Sequence, residues 1–186
     1  FLMKGVHFVL VEEKTGQNQE FYYENGLVEY IQIMNSDKNA LTPVVSFEGV
    51  DEATQIGVEI ALQYCSEDYN ETIYSYVNNV RTRDGGTHES GFRSGISKCI
   101  NDFAEANSLL RGKKLEGGDI REGITAVVSL KIPEQYLEFE GQTKGKLGTP
   151  EATAIVSNFI NNKFTYYLME NKELAVQLVN KCVASA

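Results

Sequence analysis

Two short stretches decide most of what this chain can fold into. QIGVEIALQY, residues 55–64, places Ile56, Val58, Ile60, Leu62 and Tyr64 at alternate positions. GITAVVSLKIP, residues 123–133, does the same with Ile124, Ala126, Val128, Leu130 and Ile132. A period of two is the signature of a strand with one buried face. Between them the period changes. Phe92, Ile96, Cys99, Ile100, Phe103 and Ala104 fall on one face of a helix, which predicts a helix from about Phe92 to Ser108.

The flanking segments extend this pattern. Residues 5–12 and 19–24 are extended runs joined by a polar turn, a hairpin signal. Leu27, Tyr30, Ile31 and Met34 give a short amphipathic helix, and PVVSFEG and ETIYSYVNN (residues 71–79) read as further strands. Thr149-Pro150-Glu151 predicts a helix start, with Thr149 as cap and Pro150 at the first helical position. The period breaks near Asn171, and Leu174, Leu178, Val179 and Cys182 continue in a second helix. The expected fold is α+β, built on a small mixed sheet.

The 186 residues suit one domain, or one domain with the remnant of another, and 42% hydrophobic against 23% charged residues is enough to bury a core. No apolar run approaches the roughly 18–20 residues that span a bilayer. FLMKGVHFVLVEE alternates and carries Lys4, His7 and Glu12, so it reads as a strand rather than a signal peptide. A start at Phe1 without Met suggests a fragment. Cys65, Cys99 and Cys182 are odd in number and far apart, the pattern of buried thiols in a reducing cytoplasm rather than a disulfide or zinc framework.

The formal net charge of −9 argues against a stand-alone nucleic-acid binder, whose affinity comes mainly from neutralising phosphates. The cations are uneven, however. Arg81, Arg83, Arg93, Lys98, Arg111, Lys113, Lys114 and Arg121 crowd the middle of the chain, which leaves room for a local basic surface.

Catalytic motifs are thin. In FEGQTKGKLG, residues 139–148, Gly141 and Gly145 bracket three residues where a phosphate loop needs four, and Leu147 stands where its hydroxyl would be. Gly86 to Gly91 is followed by Phe92-Arg93 and fails likewise. His88 beside Glu89 lacks a nucleophile motif and reads as a hydrogen-bonded structural group. Asp119 to Gly123 reads as a solvated loop. What remains is a mobile loop with two lysines, Lys144 and Lys146. Such a loop makes sense if the anion belongs to another domain and is met only when the two close. A surface turn with two solvated lysines is the competing reading.

FYYENGLVEYI, VSFEG, VEIALQY, ETIYSYVNNVRTRDGGTHESGFR, LEGGDIREGITAVVSLKIP and FEGQTKGKLG, in this order, resemble the ATPase (B) subunits of bacterial type IIA topoisomerases, DNA gyrase and topoisomerase IV. KIPEQYLEFEGQTKGKLGTPEA and YLMENKELAVQLVNKC are more similar to the topoisomerase IV branch of Gram-positive and related bacteria. The resemblance implies that residues 1–25 end the preceding ATP-binding domain and residues 26–186 are the transducer domain. The implied fold is ribosomal-protein-like: a mixed four-stranded sheet with helices on one face, a left-handed β-α-β crossover and long C-terminal helices.

It also implies roles. Gln142 and Lys144 would contact the γ-phosphate of ATP, with Lys144 catalytic and Lys146 given no part. Arg93, with Arg83 and Lys98, would line a cavity through which a DNA duplex passes. ATP and Mg²⁺ would be bound mainly upstream, with neither tightly held by this segment. The implied partners are DNA and the DNA-cleaving A-type subunit in an A2B2 heterotetramer, and the ATP-bound parent would self-dimerise, with no membrane role. The implied work is ATP-driven duplex passage and decatenation in the cytoplasm. Gyrase-type supercoiling, or a nucleotide-independent nucleic-acid-binding module, are the alternatives. The segment alone is expected to be monomeric and catalytically incomplete.

Overall fold

A computed structural model describes Gly5, residues 7–12 and 17–22, and all of 26–186, with side chains from residue 26 onward. Strands β1 (His7–Glu12) and β2 (Gln17–Tyr22) pair antiparallel, as the hairpin signal predicts, with His7 opposite Tyr22 and Glu12 opposite Gln17. Most of the turn between them lies outside the described residues.

After helix α1 (Leu27–Met34) comes one five-stranded sheet. Its strands are β3 (Val45–Val50), β4 (Gly57–Tyr64), β5 (Thr72–Val77), β6 (Val80–Arg81) and β7 (Ile124–Lys131), in the order β3-β4-β7-β5-β6. The two stretches that dominate the sequence are the central antiparallel pair, Ile60 opposite Val128 and Leu62 opposite Ala126. β5 lies parallel to β7. Parallel neighbours need a crossover, and it is supplied by β6, helix α2 (Thr87–Ala106) and short helix α3 (Gly117–Arg121).

The mixed α+β class is as expected, and three details differ. The sheet has five strands rather than four, because the run 71–79 ends early. Asn78 and Asn79 take φ of 49° and 66°, a two-residue hairpin turn that folds Val80 back beside Val77. Helices cover both faces rather than one. The alternating residues of β4 and β7 pack under α2 and the two C-terminal helices α4 (Glu151–Glu170) and α5 (Lys172–Ser185). On the opposite face Ala61 and Val127, at the nominally outward positions, are sealed by Leu27 and Ile31 of α1. Third, α2 begins at Thr87, five residues before the apolar period becomes visible. The predicted break at Asn171 separates α4 from α5.

Helices α2 and α4 run side by side in the same direction. The Thr153 hydroxyl donates to the Thr87 carbonyl at 3.2 Å, and twelve residues on, Cys99 Sγ meets Thr165 Oγ1 at 3.0 Å. Glycine permits the close approach. A Cβ on Gly95 would strike the Ile160 side chain and come within 2.8 Å of the Ser157 carbonyl. Gly95→Ala should therefore destabilise the chain by about 2 kcal/mol, read as a lower urea midpoint at unchanged slope. All three cysteines are buried and free, and burial raises the Cys99 thiol to about 11 and Cys182 to about 12. Among the described residues no helix is long and apolar enough to cross a membrane.

Candidate functional site

The loop with two lysines is a small hairpin. Two-residue strands β8 (Phe139–Glu140) and β9 (Lys146–Leu147) pair Phe139 with Leu147 and Glu140 with Lys146, leaving residues 141–145 as the tip. Its base is pinned. The Thr149 hydroxyl donates to the Tyr136 carbonyl at 2.7 Å and accepts from the Glu138 amide at 3.2 Å. Thr149 therefore makes no side-chain cap on α4, whose N-cap residue is Pro150, because its hydroxyl is spent on the hairpin.

The hairpin rests on the loop that opens α2. Leu147 N donates to Gly85 O at 3.1 Å and Asp84 N to Gly145 O at 2.8 Å, and Leu147 is fully buried against Gly86. This joint is made of main chain.

The two lysines are not equivalent. Lys146 Nζ lies 2.8 Å from Glu140 Oε2 across the strand pair, and this hydrogen bond raises its pKa. Lys144, with Gln142, stands exposed at the tip, and neither bonds to any described residue. The tip thus carries an uncommitted ammonium and an uncommitted amide.

A second cluster lies on α2. Arg93 Nε is 2.8 Å from Glu71 Oε1, and its Nη2 is 2.9 Å from Glu89 Oε1, one turn earlier on the helix. Glu71 also receives Arg121 Nε at 3.0 Å. Arg93 and Arg83 share a polar cleft of about 410 Å³ with Arg81, Glu89 and Lys146. Arg81 stacks its guanidinium 4.4 Å from the centre of the Tyr74 ring. Lys98, grouped with these arginines by the sequence, pairs instead with Asp102 at 2.6 Å and does not line the cleft. The structure thus unites Arg83 and Arg93 and separates Lys98 from them.

A buried chain runs beneath. His88 Nε2 meets Thr82 Oγ1 at 3.0 Å, Thr82 Oγ1 meets Ser75 Oγ at 2.7 Å, and Ser75 Oγ donates to Glu89 Oε2 at 2.9 Å. Its direction follows from its ends. His88 Nδ1 is buried without a partner among the described residues, so the ring proton is assigned to Nε2, where it has an acceptor. Thr82 Oγ1 then donates to Ser75 Oγ, and Ser75 Oγ to the Glu89 carboxylate. Sequence reasoning saw His88 as structural, and its burial agrees. It missed Ser75, Thr82 and Glu71, which come together only through the crossover. The spacing of Glu89 and Arg93 at i and i+4 was the one available signal.

Burial lowers the His88 pKa from 6.5 to about 4. The unfolded chain takes up a proton near pH 6.5 while the native ring resists it. The stability owed to neutral His88 is therefore complete above pH 6.5 and is lost as pH falls toward 4. Between pH 7 and 5 the loss should be about 2 kcal/mol. Urea unfolding at both pH values checks this, since His88→Asn should flatten the dependence by that amount.

The family model for DNA gyrase B matches residues 26–186. The B subunit of DNA topoisomerase 4 from Streptococcus pneumoniae is 49% identical over 185 residues, 98% of this chain, and its Bacillus subtilis counterpart of the same name is 46% identical over 188 residues, 100% of this chain. The chain spans 28% of the length of each of these relatives. The solved 43K ATPase domain of Thermus thermophilus gyrase B, in complex with an aminocoumarin, superposes with a TM-score of 0.88 at 29% identity, covering 100% of this chain and 49% of that one. The chain belongs to the DNA gyrase B family, as part of the B subunit of a type IIA topoisomerase.

Proposed function

We propose that residues 26–186 are the transducer domain of the ATP-hydrolysing B subunit of a bacterial type II DNA topoisomerase, of the topoisomerase IV branch, and that residues 1–25 end the preceding ATP-binding domain. The observation that carries this reading is the inequality of the two hairpin lysines. Lys146 is engaged by Glu140, whereas Lys144 and Gln142 project from a backbone-anchored tip with no partner among the described residues. An uncommitted ammonium on a short anchored hairpin suits an anion held by another body. One ammonium and one amide fit a single phosphate of an ATP–Mg²⁺ bound in the preceding domain. When bound there, ATP supplies the γ-phosphate whose hydrolysis drives the cycle. Lys144 holds a charge beside that phosphate, Gln142 donates a hydrogen bond to it, and the hairpin passes the contact to α2.

Two further observations support the reading. The family match starts at residue 26, and the relatives at 49% and 46% identity are topoisomerase 4 B subunits. The proposed partners are DNA and the A-type cleavage subunit in an A2B2 assembly in the cytoplasm, with self-dimerisation of the ATP-bound parent. Arg93 and Arg83 face the passing duplex from the shared cleft, with Lys98 further along α2. A net charge of −9 keeps such contact transient.

The test is reconstitution of the full-length subunit with its A-type partner. The expected result is ATP-dependent unlinking of catenated DNA rings without negative supercoiling of relaxed circles. Negative supercoiling would instead assign the gyrase activity, and the absence of both activities would overturn the reading.

A further inference from the structure

Arg93, proposed above to face DNA, is clamped. Its Nε and Nη2 are taken by Glu71 and Glu89, and the clamp is itself held from below. Ser75, only 1% exposed, donates to Glu89 Oε2 and leaves Oε1 for the arginine, so the carboxylate is fixed at both oxygens. Glu89 Oε2 also lies against Gly85, 2.7 Å from where a Cβ would stand, and Gly85 is the residue whose carbonyl carries the hairpin. One side chain therefore touches the arginine, the buried hydroxyl chain and the hairpin's footing.

We infer that Glu89 is a positioning residue for Arg93. It holds the guanidinium in a carboxylate clamp that a DNA phosphate must displace, so the contact is weakened in favour of passage. This rests on the reading that Arg93 faces DNA. The clamp satisfies two of the five N–H donors of the guanidinium from one side and brings two negative charges beside any phosphate that approaches the rest. Releasing Glu89 frees the Nη2 donor, which beside the unengaged Nη1 allows bidentate phosphate contact, and removes one of the repelling charges.

The test is equilibrium binding of a short linear duplex, which a closing clamp does not retain, to the full-length subunit over a range of salt concentrations. Glu89→Gln should tighten binding about fivefold and steepen the salt dependence by about 0.9, the increment of one additional phosphate contact. Ser75→Ala, which changes no charge, should act in the same direction by about twofold, because it frees the carboxylate to swing away. Glu105→Gln removes the same charge from an exposed position on α2 and serves as the control. Adding Arg93→Gln to Glu89→Gln should erase the gain.

If Glu89→Gln binds no better than Glu105→Gln, or Ser75→Ala binds like wild type, the positioning role is overturned while Arg93 remains a DNA contact. If Arg93→Gln alone binds DNA as wild type does, the DNA reading of this arginine fails, and the inference with it. Circular dichroism melts of each variant separate these outcomes from loss of fold.

Discussion

Lys144→Ala in the full-length subunit should lower ATP turnover by two to three orders of magnitude, roughly the effect of removing one preorganised charge from a phosphate in a closed site. On the proposed function, most nucleotide contacts lie in the preceding domain and the hairpin adds one, so nucleotide affinity should change only a few-fold. Melting temperature should not move, since Lys144 is exposed and bonds to nothing described. Lys146→Ala is the informative comparison. Its ammonium pairs with Glu140 while both side chains are about half exposed, so solvent screens the pair, and turnover should stay within about threefold of wild type. Single-turnover hydrolysis with both variants checks this. Equal damage from both would sink the distinction between the lysines, and two normal enzymes would reduce the hairpin to a surface turn.

Gly86→Ala should be the most damaging small substitution in the hairpin's footing. Gly86 has φ +137° and ψ −163°, a region essentially closed to residues with a Cβ. A Cβ there would also lie 2.5 Å from both the amide nitrogen and the carbonyl oxygen of Leu147. Main chain on both sides leaves no flexible side chain to give way, so the hairpin must lift. The expected cost is about 3–5 kcal/mol, the sum of backbone strain and overpacking. Hydrogen exchange at the Leu147 amide should rise with it, and coupled ATP turnover should fall. Gly141→Ala separates the two causes. Gly141 has φ +78° but nothing within 4 Å of its would-be Cβ, so strain acts alone and the loss should stay near 1–2 kcal/mol.

The central strands were legible because alternation is a local signal, and Ile60 and Val128 announce themselves. What escaped was set by partners distant in sequence. Ala61 and Val127 look outward in the alternating pattern and are buried only because α1 returns over them. The first turn of α2 is hidden by Gly86, Thr87 and His88, a composition that reads as loop, and its order comes from the hairpin beneath which it sits. Lys144 was singled out on resemblance, and nothing in GQTKGKLG itself ranks it above Lys146. That ranking needs the cross-strand register, which brings Glu140 to one lysine and leaves the other without a partner among the described residues. The clamp on Arg93 joins residues 71, 75, 89 and 121, a grouping no linear motif contains.

The shared direction of α2 and α4 has an electrical consequence. Both helices start at the hairpin end of the molecule, Thr87 directly after the Gly86 footing and Glu151 two residues beyond Thr149. Each helix start carries the equivalent of about half a positive charge, which aligned dipoles add rather than cancel. Glu89 and Glu151, in the first turns, offset part of this, but Glu89 is already committed to Arg93. That field falls off within a turn and is met at the same end by Asp84 beside Gly145 and by Glu140 on Lys146, so it acts on a group seated against the two helix starts rather than on one still in solution.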